Sequence, residues 1–427
     1  MSYQLIIVQN CVFFNIFCTF LWKVAYICRR KDGFMKRLLF SLYGFAFFNK
    51  FLLLTPVYAI FMQENGLNDL QLSTMFIVSA IGTIVAQAPI TMMTNKFGQR
   101  WSMIFGQALK ALAVLLWLVM PNYIGFVIGM FMWGAQAGFR SVAFEGLVYD
   151  SVHAYGAKRE YSKILGRKST YESIGTALSA FGSLLMFMGY DWVTWASVGA
   201  ILISMVCLMA VPYKPKQNKK SARASKQYTM RETFKTGIKI CRKTPCLMSI
   251  MLLTLLVVNV PFLDDFLSPI ALQIGIQTEY VGILSFVLLG CATLGQRFAY
   301  KFKKIPDLVL CCLIGAVGVG YLIFSAFYSL WGLGALGLAY MLFYGIYTLL
   351  YAQFQHMIPT RHRSVVLSLY TTLTYVVYMI VCGIIGLGGS LGSWRYSIMI
   401  QGILMLAVFA WAILGLYKKC PLADDTV

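Results

Sequence analysis

The sequence predicts an all-α polytopic membrane protein with twelve spanning helices in two sets of six, and three observations support this fold class. Hydrophobic residues make up 59% of the 427 residues and charged residues 12%, about half the charged share of a soluble domain. Twelve apolar runs have about 20 residues or more, the length that crosses ~30 Å of hydrocarbon. Basic residues collect in alternate connections between these runs, as they do in cytoplasmic loops.

A weaker thirteenth run precedes the twelve predicted spans. It covers residues 4–22 and is interrupted by Gln9, Asn10 and Asn15. Because Met35 is followed by two basic residues, it is itself a suitable cytoplasmic start for the first span. Residues 1–34 are therefore predicted to be a dispensable leader or an extra N-terminal helix. The twelve spans are residues 38–61, 70–93, 101–120, 123–149, 168–189, 193–212, 247–272, 279–300, 307–327, 330–357, 364–389 and 395–417.

The distribution of basic residues predicts the orientation of the chain. It has 36 Lys and Arg against 15 Asp and Glu, a net charge of +21. If residues 29–37 are cytoplasmic, 32 of the 36 basic residues lie in cytoplasmic segments and only Arg395 lies outside. The basic residues lie in loops between apolar runs and not on one face of a soluble domain, which argues against a nucleic-acid partner. Their position predicts contact with anionic lipids of the cytoplasmic leaflet. We expect an inner-membrane protein whose twelve-helix core has both ends in the cytoplasm.

Two short patterns recur at the same place in each half of the chain. The loop after the first span contains Gly66, with Asn68 and Gln71 spaced as a capping box for the second span. A similar loop contains Gly275, 209 residues after Gly66. The string NKF at 95–97 also has a counterpart, YKF, at 300–302. These recurrences predict a duplicated six-helix unit.

The duplication divides the predicted chain into two bundles and a connection. The N-terminal six-helix bundle is residues 35–212, and the C-terminal six-helix bundle is residues 246–417. A cytoplasmic linker, 213–245, joins them, and 418–427 form a cytoplasmic tail. Within the linker, residues 229–243 have apolar side chains every three or four positions, which predicts a basic amphipathic helix on the membrane surface.

The connection between the second and third spans reads NKFGQR over residues 95–100. With the six-plus-six arrangement and the long central linker, this string resembles the major facilitator superfamily, whose pattern at this loop is Asp-Arg-x-Gly-Arg-Arg. Lys96, Gly98 and Arg100 match the pattern, and Asn95 stands where the family has its acidic residue. The resemblance implies an inner gate formed by these four residues.

Two further stretches narrow the resemblance. EGLVYDS at 145–151 and EYSKILGR at 160–167 are similar to a bacterial permease and efflux branch of the same superfamily. Members of the superfamily line a central cavity with helices 1, 4, 7 and 10. The resemblance therefore implies that polar side chains on those four helices contact the transported solute.

Ionisable side chains inside spanning helices indicate functional positions, because at bilayer depth they are unfavourable unless paired or hydrated. Lys110 and Glu172 are of this kind but lie on helices 3 and 5. We expect two cations on helices 1 and 4 to hold an anionic group of the solute, and a carboxylate to bind a cation or the coupling proton. The alternative is a set of structural salt bridges. The candidate cavity residues are Lys50, Arg140, Glu145, Asp264, Asp265, Tyr351 and Gln353.

The predicted function is secondary active transport by alternating access, with proton-coupled export of a toxic, amphipathic or peptide-like compound as the first interpretation. Import of a polar metabolite, such as a sugar or organic acid, and a non-transporting membrane scaffold are the alternatives. The sequence contains no Walker A string, no zinc-ligand spacing and no clustered catalytic set. We therefore expect no enzyme activity, cofactor or metal, and a monomer whose partners are the solute, a coupling proton or ion, and lipid.

Overall fold

The computed structural model describes residues 34–154, 161–212, 230–299, 306–359 and 363–416. These residues are almost entirely helical and form no β-strand. Nine of the helices within these ranges are long and apolar enough to span a membrane. The predicted all-α membrane fold is confirmed, while the leader at 1–33, most of the linker at 213–229 and the tail lie outside the described residues.

The described residues form twelve helical segments, α1 to α12, joined alternately at two ends of the bundle. The linker side carries Gly98 and Met230, and the far side carries Gly66 and Gly275. The segments are α1 (Phe34–Lys50 as α1a, Tyr58–Glu64 as α1b), α2 (Asp69–Phe97), α3 (Gln99–Val119), α4 (Tyr123–Ala154), α5 (Tyr161–Ser179, continued by the 3₁₀ stretch Ala180–Met188), α6 (Tyr190–Ala210), α7 (Pro245–Asn259 as α7a, Leu267–Gln273 as α7b), α8 (Val281–Ala299), α9 (Asp307–Ala326), α10 (Leu333–Met357), α11 (Arg363–Ser390) and α12 (Trp394–Trp411).

The first and seventh segments are broken, whereas the sequence predicted continuous spans there. The helix is interrupted over residues 51–57 in α1 and over residues 260–266 in α7. Each break contains a proline, Pro56 or Pro261. Proline has no N–H and disfavours helical geometry at the residue before it, so the ladder of helix hydrogen bonds stops at these points. The first segment of each half, α1 or α7, therefore has backbone carbonyls inside the bundle that lack partners within the helix.

The short far-side helices α1b and α7b have the same geometry. Each has seven residues and is followed by a glycine with φ of 92°, Gly66 or Gly275. In both loops the glycine N–H donates to the carbonyl three residues before it, and the next N–H donates to the carbonyl five residues before it. These bonds satisfy the last carbonyls of the helix. The capping box predicted at Asn68 and Gln71 is also present.

A helix spans Met230–Lys243 in the linker, and we call it the linker helix. Its apolar face packs against the C-terminal half: Cys241 is buried, with its Sγ 3.9 Å from the Sδ of Met251 in α7a. Gly237 lies against Leu369 of α11. The predicted amphipathic helix therefore rests on protein through this face. Its exposed basic side chains are Lys235, Lys239 and Arg242.

Contacts between segments α1–α6 and α7–α12 close the far side. The pairs that meet include α2 with α11, the 3₁₀ end of α5 with α8, and α1b with α7b. Ser183 Oγ donates to Glu279 O at 2.8 Å and accepts from Gly282 N at 2.9 Å. A Cβ on Gly282 would lie 1.8 Å from Ala180 O, so this approach of two helices requires glycine. These contacts hold the two halves together on the far side, and we call the contact between Ser183 and Gly282 the seal.

Candidate solute and proton site between the halves

The break in α7 places two neighbouring carboxylates, Asp264 and Asp265, on a short 3₁₀ turn inside the bundle. Tyr340 and Tyr344 stand one turn apart on α10. Their hydroxyls donate to the two oxygens of Asp264, each at 2.9 Å. Both donors belong to the C-terminal half, so this half alone holds the Asp264 carboxylate.

Asp265 is held from both halves of the bundle. Tyr58, at the start of α1b, donates to its Oδ1 at 2.9 Å. Tyr378 of α11 donates to its Oδ2 at 2.5 Å. The Asp265 carboxylate therefore links α1b of the N-terminal half to α7 and α11 of the C-terminal half.

Polar side chains on the third and sixth helices of the C-terminal half stabilise the break that carries these aspartates. Gln401 of α12 donates through Nε2 to Val260 O at 2.8 Å and to Phe262 O at 3.2 Å. Tyr321 of α9 donates to Pro261 O. Because unpaired buried carbonyls are unfavourable, these bonds compensate for the helix hydrogen bonds that the break removes.

A cavity of about 180 Å³ lies between the two breaks. The break of α1 contributes Thr55 and Tyr58, and the break of α7 contributes both aspartates. Serine and threonine side chains add further hydroxyl groups to the wall. The remaining lining residues are Pro56, Thr176, Ser179, Ala180, Leu267, Ser268, Ser285, Phe286, Leu288, Leu289, Ala292, Tyr340 and Tyr344.

Cations predominate among the described ionisable side chains in the interior of the N-terminal half. Glu172 of α5 pairs with Arg140 of α4 at 3.4 Å and with Lys168 at 2.9 Å. Lys50 ends α1a and lies close enough to Arg140, Glu172 and Asp265 for their charges to interact. One carboxylate thus faces three cations. The C-terminal half lines the cavity with two carboxylates, whereas the basic residues of the N-terminal half lie behind its lining residues.

Of the seven predicted cavity residues, Asp264 and Asp265 line the cavity. Lys50 and Arg140 do not line it, although Lys50 lies within interaction range of both Arg140 and Asp265. Arg140 also fits the structural alternative, because Glu172 is its ion-pair partner. The roles of these residues stay predictions.

The three other predicted cavity residues are placed differently. The side chain of Glu145 lies outside the described residues. Tyr351 stacks on Tyr347 and packs against Tyr370 of α11, closer to the linker side than the cavity wall. Gln353 lies on the same part of α10 and does not line the cavity of about 180 Å³.

Sequence reasoning missed three of the four tyrosines that contact the aspartates: Tyr58, Tyr340 and Tyr378. Tyr340, Tyr344, Tyr347 and Tyr351 recur at steps of four, three and four residues, which places them along one face of α10. That spacing predicts a row of tyrosines along the helix, and the first two of them, Tyr340 and Tyr344, contact Asp264. No comparable pattern surrounds Tyr58, whose partner is distant in sequence.

The predicted inner-gate loop lies on the linker side, between α2 and α3. Gly98 joins the two helices directly. Its φ is 84°, a conformation that glycine adopts readily and other residues rarely do. Arg100 donates to Met209 O at the end of α6. Lys96 is exposed, and the side chain of Asn95 lies outside the described residues. The loop therefore ties α3 to α6 within the N-terminal half.

With the twelve segments, the paired breaks and the central cavity described, the family can be assigned. The family model of the Major Facilitator Superfamily matches residues 39–382. The chain belongs to the Major Facilitator Superfamily. Membership indicates a transporter rather than an enzyme, inserted in a membrane by many spans.

Solved structures of this superfamily resemble the chain in fold. The nucleoside transporter NupG matches with a TM-score of 0.67 at 11% identity, over 88% of this chain and 98% of NupG. A D-xylose-proton symporter matches with a TM-score of 0.66 at 14% identity, over 88% and 96%. A bacterial homologue of the human lysosomal transporter Spinster, inward-facing and occupied, matches with a TM-score of 0.62 at 14% identity, over 90% and 97%. A comparison with curated protein sequences finds no match.

Proposed function

We propose that this superfamily member is a proton-coupled secondary transporter of a small solute that carries both an anionic and a cationic group. The observation that supports this proposal is the separation of charge between the two halves. Lys50 and Arg140 stand on the N-terminal half, and Asp264 and Asp265 stand on the C-terminal half. An anionic group would pair with the cations, and a cationic group with an aspartate.

The small size of the cavity favours a compact solute. Pockets for drug-sized ligands usually have ~300–1,000 Å³, whereas this cavity has about 180 Å³. A peptide-like compound of one or two residues has the required charges and size. Export of an amphipathic or peptide-like compound thus stays our first proposal, and the size of the cavity limits it to the smallest compounds of that class.

Asp265 is the proposed coupling site. As a carboxylate it accepts from Tyr58 and Tyr378, one in each half. Once protonated, it becomes a donor at one oxygen and a weaker acceptor, so the link between the halves weakens. A proton then binds the open and closed states with different affinity, which is the requirement for coupling.

The charge distribution supports a cytoplasmic linker side. With the far side sealed, the described conformation is then one that faces the cytoplasm. Alternating access follows if the halves open the far side and close the linker side around the same cavity.

Import of a neutral polar metabolite is a second candidate, which the hydroxyl-rich wall of the cavity supports. Thr55, Thr176, Ser179, Ser285 and the tyrosines would hydrogen-bond a sugar. Such a solute would make no use of the separation of charge between the halves, so we rank this candidate below the first.

Proteoliposome transport with an imposed proton gradient tests the proposal. Radiolabelled alanyl-alanine serves as the zwitterionic probe and radiolabelled xylose as the neutral one, with the gradient applied in each direction. We expect gradient-driven movement of alanyl-alanine that Asp265→Asn abolishes, while the exposed control Asp191→Asn retains it. Movement of xylose alone would favour the second candidate. Gradient-driven transport that survives in Asp265→Asn would contradict the proposed coupling site.

A further inference from the structure

Lys110 is a buried cation that the proposed mechanism has not used. Its side chain lies on α3 and is 4% exposed. The ammonium donates to Asn49 O at 2.7 Å and to Asn49 Oδ1 at 3.0 Å. It also lies 5.0 Å from the centre of the Trp133 ring, within the range of a cation–π interaction. No carboxylate among the described residues pairs with it.

The position of Lys110 explains how the ammonium is accommodated. Asn49 stands at the C-terminal end of α1a, where the break leaves carbonyl groups without helix partners. The C-terminus of a helix also carries a partial negative charge that attracts a cation. Gln107 donates to Asn49 Oδ1 at 3.1 Å, and Ser204 of α6 donates to Gln107 Oε1 at 3.1 Å. A network from α6 through α3 therefore fixes Asn49.

Stability alone does not require a charge here, because a neutral donor satisfies the same carbonyl. In the C-terminal half, the equivalent break is held by the neutral side chains of Gln401 and Tyr321. The charges within interaction range of Lys110 are Lys50 and Arg140, which repel it. The N-terminal half thus keeps a buried cation beside two others, at a position where the C-terminal half has none.

We propose that Lys110 is a positioning residue that acts through Asn49 and Lys50, and that its buried charge makes the N-terminal wall of the cavity attract anions. It does not touch the solute. Asn49 directly precedes Lys50, so the ammonium both fixes the end of α1a and adds its field behind Lys50. Because Lys110 is buried, solvent screens that field weakly. The inference rests on the proposed function, since it assigns the source of the positive wall that would bind the anionic group.

Charged thiol reagents measure this property without a known solute. Ser285 lines the cavity from α8, and Ser285→Cys places a reporter thiol there in the full-length chain. The reagents are an anionic sulfonatoethyl and a cationic trimethylammonioethyl methanethiosulfonate. Mass spectrometry of the peptide that contains position 285 gives both rates despite the native cysteines. The anion-to-cation rate ratio reports the charge of the cavity.

In this background Lys110→Met should lower the rate ratio about fivefold or more, because a weakly screened unit charge acts with opposite sign on the two reagents. Lys110→Arg should keep the ratio within about twofold. Gln107→Leu weakens the Asn49 network without changing charge and should also keep it, although both non-conservative variants should lower the melting temperature. If Lys110→Met fails to insert, Lys110→Gln keeps a donor for Asn49 O and serves in its place.

Lys50→Met separates this inference from the proposed function. A fall in the ratio for both Lys50→Met and Lys110→Met supports both. A fall for Lys50→Met with no change for the Lys110 variants overturns the role of Lys110 and leaves the proposed function standing. No fall for either overturns both, and an equal fall for Gln107→Leu shows a structural role only.

Discussion

At the scale of single residues, the Tyr58 hydroxyl is the contact on which the far-side closure of α1b and α7 depends most directly. Tyr58→Phe removes its bond to Asp265 and keeps the ring. A hydrogen bond to a charged group contributes about 1.5–3 kcal/mol, so the far-side-open state should gain about tenfold or more in population. The measurement is the labelling rate of Ser285→Cys by an impermeant reagent applied from the far side.

Tyr378→Phe is the matched control for that substitution. It removes a bond of the same kind to the same carboxylate, but its donor lies in the same half as Asp265. Far-side labelling should therefore stay near that of the parent. Equal acceleration by both substitutions would show that Asp265, and not the link between halves, sets the closure.

The charged residues of the site could be predicted from the sequence, whereas their partners could not. Asp264, Asp265 and Lys50 are recognisable because ionisable groups are rare in spanning helices. Tyr58 and Tyr378 are two of 25 tyrosines in an aromatic-rich chain, and tyrosine is common in membrane helices. Only the fold brings Tyr58 next to a residue 207 positions later.

At the scale of helices, the break in α7 depends on Gln401. Gln401→Leu leaves Val260 O and Phe262 O without this donor. Each stranded buried carbonyl costs about 1–3 kcal/mol, so the substitution should lower the stability of the C-terminal half clearly. Thermal unfolding in detergent checks this. Gln277→Leu, at an exposed glutamine of the same half, should leave the melting temperature almost unchanged.

The helix boundaries and the breaks differ in how well the sequence predicted them. Length and hydropathy predicted all twelve segments, and the capping box at Asn68 gave the start of α2. The sequence analysis did not predict the two interruptions, because apolar residues continue through both breaks. Pro56 and Pro261 were the signals that indicated them. Hydropathy measures whether a segment can enter lipid, and it does not respond to a backbone that unwinds while its carbonyls find partners on neighbouring helices.

At the scale of the whole molecule, we expect the seal between α5 and α8 to determine which side of the cavity is open. Gly282→Val introduces side-chain atoms where even a Cβ would lie 1.8 Å from Ala180 O. The halves must separate on the far side to accommodate it, so far-side labelling of Ser285→Cys should rise about tenfold, as for loss of a link worth ~1.4 kcal/mol or more.

Gly290→Val provides the control on the same helix. No atom of another residue lies within 4 Å of a Cβ at Gly290, so valine fits there without moving the halves. Labelling from the far side should then match the parent. A rise at position 290 equal to that at 282 would mean that bulk on α8, and not the seal, changes the conformation.

The recurring loops predicted two related halves, but the sequence did not predict which side is closed. The same apolar pattern serves the open and closed states, since alternating access moves the halves as bodies and leaves each helix intact. The small residues at the seal, Ser183 and Gly282, are a weak signal in a chain with 36 glycines.

The two breaks also determine how little of the protein must move to enclose a solute. α1b and α7b are rods of seven residues, each connected to the rest of its helix by a stretch without a continuous hydrogen-bond ladder. Such a rod can tilt over the cavity while α1a and α7a stay in place, as a hinged flap does. In the proposed cycle, tilting of both rods would enclose the solute before the halves rotate, and the fit of these two short helices would limit leakage.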